Sequence, residues 1–137
     1  MKIGLITVGV FVAAAAAGAA VGPPVITEPW TPLPCPARPS STVEIEGCLQ
    51  RDVRRSDRSI DSKAATVFGL IKREKDRDAF VSGERSWLQY RRRSCSAAAS
   101  VYRGGSAEPI VYLRCEKTRN ARHLADLTDA ERILRHG

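Results

Sequence analysis

From residue 42 onward, apolar residues recur at spacings of three, four and seven. Ile45, Cys48 with Leu49, Val53, Ile60, Ala64, Val67 with Phe68, and Ile71 fall on one face of an amphipathic helix over about 42–73. Arg51, Asp52, Arg54, Arg55, Arg58 and Lys63 make its polar face. Ser41-Thr42-Val43-Glu44 reads as a capping box, in which hydroxyl and carboxylate each satisfy the other residue's amide. Lys72 to Asp78 reads as a charged corner. A second periodic stretch, about 78–103, turns Phe80, Val81, Trp87, Leu88, Arg91, Cys95, Ala98 and Tyr102 inward. Glu84, Trp87, Leu88, Arg91 and Cys95 share one face of it. Trp beside Arg there lets the guanidinium lie over the indole while its fork meets a carboxylate.

Gly104 and Gly105 stop this helix, because Gly takes the left-handed terminal conformation cheaply. Ser106 is placed to cap a third helix over about 107–126, with Pro109 in its first turn and Ile110, Val111, Leu113, Cys115, Arg122 and Leu124 as contacts. Thr128-Asp129-Ala130-Glu131 reads as another capping box, opening a short C-terminal helix. No stretch alternates as a strand does. The pattern predicts an all-α fold, a small antiparallel bundle of three main helices plus a short C-terminal one.

Ahead of the bundle the character changes twice. Lys2, the Ala-rich apolar run Ile3 to Ala20, and the small residues Ala17-Gly18-Ala19 read as a signal peptide over 1–22, ended by Gly22-Pro23-Pro24. Residues 23–40, rich in proline, read as an extended tether pinned near its end by Cys35. Trp30 in that tether reads as packing on the domain, taken over an exposed recognition role. The helical domain is 41–137.

A chain of 137 residues that loses a leader buries only a modest core. Crosslinks supply the rest if the compartment is oxidising. Four cysteines allow three pairings. The sequence-local one, Cys35–Cys48 with Cys95–Cys115, ties the tether to the first helix and staples the second to the third. Each closure stabilises by about 3 kcal/mol in the loop-entropy account. Zinc is excluded by spacing: there is no Cys-x-x-Cys pair and no His near a Cys. No cofactor is indicated.

Catalysis finds no support either. His123 reads as exposed and His136 as part of a frayed tail. There is no phosphate loop or nucleophile elbow, and Glu84 with Arg91 reads as a structural ion pair under Trp87. The net charge of +7 becomes +6 without Lys2 and favours anionic partners. Aromatic residues are too sparse for a nucleic-acid stacking platform.

The assembled motifs resemble the lysozyme inhibitor LprI-like family of small exported bacterial proteins. Cys35, Ser41 with Glu44, and Cys48 match its opening; Asp57 and Ile60 match the middle of its long helix, with Asp61 where the family has Asn. Trp87, Tyr90, Arg91 and Cys95 match its core motif, Gly104-Gly105-Ser106 its break, and Cys115, Thr118, Arg122 and Leu124 its close. The chain departs from the pattern at Glu84 or Arg85, in place of a Gln, and at Arg92, in place of an acid. The resemblance covers about residues 35–127. It implies a helical, disulfide-bonded envelope protein, in keeping with a leader that points to a periplasmic or extracellular product and with residues that support no catalysis.

Lysozyme inhibition by protein contact is attributed to the family's name-giving member, so lysozyme or another envelope protein is the implied partner. Like charge on common basic lysozymes would oppose the encounter. A local acidic feature, Glu74 to Asp78 or Glu108 beside the Gly-Gly-Ser turn, would then enter the sugar cleft. The competing expectation is an envelope module that binds anionic cell-wall or lipid polymers through Arg85, Arg92, Arg93 and Arg103. A third is a structural factor with a protein partner, marked by an apolar patch near the Gly-Gly-Ser turn. Nucleic acid is not an expected partner, and no membrane span is expected after leader cleavage.

Overall fold

The computed structural model describes residues 21–137, so the leader expected over 1–22 lies almost wholly outside the described part. Three long helices follow an extended segment: α1 (Thr42–Leu70), α2 (Glu74–Ala99) and α3 (Glu108–His136), with a 3-10 turn at Ser100–Tyr102. No strand occurs among the described residues. Together with the two crosslinks described below, this is an all-α, disulfide-stapled bundle.

The capping box at Ser41 is present. Ser41 Oγ accepts from the Glu44 amide at 3.3 Å, and Glu44 Oε2 accepts from the amides of Ser40 and Ser41 at 2.6 and 3.1 Å. These contacts satisfy amides that a helix start leaves unpaired. α1 ends three residues before the expected limit, because Ile71 turns to an extended conformation and donates to the Phe68 carbonyl. α2 starts at Glu74, so most of the expected charged corner is helix. Glu74 and Asp76 in its first turn complement the positive end of the helix dipole.

At the far end α2 tightens into the 3-10 turn, and Gly104 takes φ +77°, the left-handed value that favours glycine. Two residues expected inward, Ala98 and Tyr102, are exposed: the inward face of α2 runs through Cys95 and Ala99 instead, and Tyr102 lies in the 3-10 turn beyond it. Ser106 caps nothing. Ala107 holds the cap position, and the Glu108 carboxylate reaches back to accept the Gly104 amide at 2.7 Å. The expected short C-terminal helix is not separate: α3 runs unbroken through Thr128, whose hydroxyl donates to the Leu124 carbonyl at 2.7 Å, as mid-helix threonines do. No Gly or Pro lies between Ile110 and His136 to stop it. Arg122, expected as a contact, is exposed.

α1 and α3 run parallel, as the pairs Asp52–Lys117 and Lys63–Glu131 show. α2 is antiparallel to both, through Glu84–His123 and Asp57–Arg91. α3 is central and packs closely on each of the others, while the backbones of α1 and α2 stand farther apart and meet through long side chains such as Arg91, Trp87 and Phe80. The extended segment occupies the space between these two helices. It bonds α1 through Ile26 N–H to Asp61, Leu33 N–H to Gln50, and the Trp30 carbonyl to Arg54, and it offers the Thr27 carbonyl to Arg92 of α2. Gly47 is required on α1, because a Cβ there would overlap the backbone of Leu33 and Pro34.

Apolar packing is concentrated at the end where α1 finishes and α2 begins. Ile60, Ala64, Val67 and Leu127 are buried there, with Ile26, Phe80, Trp87 and Leu124 against them. At the opposite end the bundle is crosslinked. Cys35 pairs with Cys48 across 13 positions and Cys95 with Cys115 across 20, the sequence-local arrangement.

Candidate functional site

Between the apolar end and the crosslinked end lies a buried polar layer. Arg91 of α2 is fully buried. Its Nη1 donates to Asp57 Oδ1 at 2.6 Å and to Asn120 Oδ1 at 2.7 Å, its Nη2 pairs with Glu28 of the extended segment, and its Nε faces Glu116 Oε1 at 3.4 Å. Asn120 also donates to Ser56 and Asp57, each at 2.8 Å, and Tyr112 donates to Glu116 at 3.0 Å. One guanidinium therefore joins the segment and all three helices.

Three carboxylates face one cation, so the layer carries excess negative charge. Asp57 Oδ2 and Glu116 Oε2 are buried without a hydrogen bond in the protein. Burial pushes the Glu116 carboxyl up to about 7; Arg91 works against this, and the Glu28 charge adds to it. Burial also raises Glu28, against the pull of Arg91. Burial opposes the charge on Arg91, but Glu116, Asp57 and Glu28 together hold it protonated.

Trp87 lies beside this layer with the Arg91 guanidinium 5.4 Å from its ring centroid, the arrangement expected from their spacing. The expected Glu84–Arg91 pair does not form. Glu84 instead meets His123 Nε2 at 2.9 Å, and the His123 ring stacks on Trp87 at 3.8 Å between centroids. His123, expected exposed, is thus packed inside. Its position on α3 is opposite the middle of α2, which a reading of α3 alone does not reveal.

The crosslinked end carries a cleft of about 490 Å³. Trp30 and Tyr112 supply aromatic walls, Glu46, Arg103 and Glu108 supply charge, and the buried Gln50 also lines it. Beside it Val101 and Tyr102 are exposed, at 81% and 49%. This is the apolar feature near the Gly-Gly-Ser turn that would mark a protein partner. Of the nominated binding residues, Arg103 and Glu108 line this cleft. Arg85, Arg92 and Arg93 face solvent along α2, and Tyr90 is exposed under Arg119, whose guanidinium is 5.1 Å from its ring. Sequence reading missed Glu28, Glu116, Asn120 and Tyr112. For Glu116 and Asn120 a signal was present in the spacing Leu113, Glu116, Asn120, Leu127, an inward stripe of α3 with polar residues in apolar places; Glu28 and Tyr112 lie outside it.

Among the described residues, no group of three His, Cys, Asp or Glu side chains is arranged to hold a metal, and no helix is long and apolar enough to cross a membrane. The architecture is that of a small crosslinked helical scaffold with a charged spine and a shaped end. The family model described as "Lysozyme inhibitor LprI" matches residues 35–127, and the chain belongs to that family. No curated protein and no solved structure matches it.

Proposed function

We propose that this is an exported, non-enzymatic binding protein that inhibits lysozyme-type muramidases by protein–protein contact. The family match across residues 35–127 carries the reading. Two disulfides support export, since such crosslinks persist in oxidising compartments. The crosslinked end supports the mode of contact. Cys95–Cys115 braces it, and Glu46 and Glu108, beside Arg103, place two acids in a cleft of an otherwise basic molecule. Local acidic groups of this kind offset the repulsion between the protein and a basic muramidase. Glu74 to Asp78 fit the role less well, because they lie in the first turn of α2, at the opposite end from this cleft and outside its lining. The test is titration of muramidase activity with the purified oxidised protein against several lysozyme types, basic and acidic. Activity of at least one is expected to fall in proportion to inhibitor added.

A further inference from the structure

Arg51, Arg54, Arg55 and Arg58 of α1 are spaced three, four and seven apart and share one side of the helix. Neighbouring like charges at these spacings destabilise a helix, and the fold offsets them only in part. Arg54 bonds the Trp30 carbonyl at 2.8 Å. Arg51 has Asp52 at 3.8 Å, but Lys117 holds that carboxylate more closely, at 2.8 Å. Arg55 and Arg58 are exposed and make no ion pair among the described residues.

Beside this strip, α1 and α3 enclose a shallow groove of about 620 Å³. Arg55, Arg58 and Lys63 stand on one wall and Arg135 on the other; the acid Glu131 is shared by Lys63 and Arg135 at 2.6 and 2.8 Å. Between the walls are hydroxyls of Ser59, Thr66 and Thr128, each donating only to a carbonyl of its own helix. Arg58 also lines two recesses toward the extended segment, with Arg54 in both, so the positive surface continues around α1. The groove shares no lining residue with the cleft at the Gly-Gly-Ser end.

We propose that this groove and the adjoining arginine strip bind a linear polyanion bearing repeating phosphates. Guanidinium forks match phosphate oxygens two at a time, and hydroxyls that can turn away from their carbonyls add donors between them. Cations on both walls suit a chain lying in the groove. Arg51 to Lys63 spans about 18 Å along the helix, room for several phosphates in a row.

The test measures binding of a short inorganic polyphosphate to the oxidised exported protein at stepped salt concentrations. Parallel arms use polyglutamate of matched charge and vesicles containing anionic phospholipid. R55A/R58A is expected to weaken polyphosphate binding about tenfold and to flatten the dependence of log K on log salt by about 1.5. R85A/R93A, on α2, is expected to leave both nearly unchanged. Circular dichroism confirms that each exposed-residue variant is folded. Three results would overturn the proposal: no binding of polyphosphate, equal losses in the α1 and α2 variants, or binding of polyglutamate or vesicles as tight as polyphosphate with the same dependence on Arg55 and Arg58.

Discussion

Glu28, in the extended segment, pairs with the buried guanidinium of Arg91 across 63 positions of sequence. The contact fastens a segment without secondary structure into the gap between α1 and α2. It makes the segment part of the folded body.

Removing either partner therefore has unequal effects. In R91A, Asp57, Glu116 and Glu28 lose their shared cation, and the expected loss is about 3–5 kcal/mol, the range for stranding buried charge. In E28A, Arg91 keeps two carboxylates, and about 1 kcal/mol is expected. Urea denaturation of the oxidised proteins checks the ordering. Limited proteolysis should show faster cleavage within residues 23–34 of E28A while the helices stay intact.

The excess acid in the same layer gives stability a pH dependence of defined sign. Between the ordinary carboxylate range and about 7, Glu116 keeps a proton in the folded protein that the unfolded chain releases. Stability therefore falls as pH rises through that window and levels off above it, by an amount on the order of 3 kcal/mol. Glu28, raised by burial, acts in the same direction. Glu44, held low by hydrogen bonds from Ser40 and Ser41, and Glu131, held low by bonds from Lys63 and Arg135, act oppositely and lose their contribution as pH falls below the usual carboxylate range. Maximum stability is expected near pH 5. E116Q should flatten the decline and exceed the parent protein at pH 8, as read from urea midpoints at each pH.

Gly47 provides a case in which helix propensity and packing disagree. Alanine favours a helix interior over glycine by about 1 kcal/mol. A methyl group at Gly47 would nonetheless strike the Leu33 and Pro34 backbone. G47A is expected to lower stability and to loosen the segment. An unchanged or raised melting temperature would show that the segment is not seated as described.

His123 closes Glu84 against Trp87. H123A leaves a buried carboxylate without its partner and removes the stacked ring, so a loss of about 1–3 kcal/mol is expected. H123F, which keeps a ring but no hydrogen bond, should recover only part of it. Denaturation followed by tryptophan fluorescence reports both.

How much of this was legible in the sequence depends on where each residue's partner lies. The Ser41 capping box, the Trp87–Arg91 contact and both cysteine pairs rest on neighbours within about twenty positions, and local spacing sufficed to place them. The ligands of Arg91 come from the segment, α1 and α3, so no local spacing pairs them with it, even where the stripe shared with Leu113 and Leu127 marks Glu116 and Asn120 as inward. Glu84 and His123 failed for the same reason, since each finds its partner on another helix. Thr128 shows the converse. Its motif is that of a helix start, but an intact ladder on both sides makes it an interior residue.

The most direct measurement is stoichiometric inhibition of a muramidase, compared between the parent protein and a variant reversing both acids of the end cleft, E46K/E108K. The parent is expected to abolish activity near equimolar ratio, and the folded variant to require at least a tenfold excess. Full muramidase activity against every lysozyme type at a large molar excess of parent protein would contradict the proposed role. Equal potency of parent and variant would move the contact away from the Gly-Gly-Ser end.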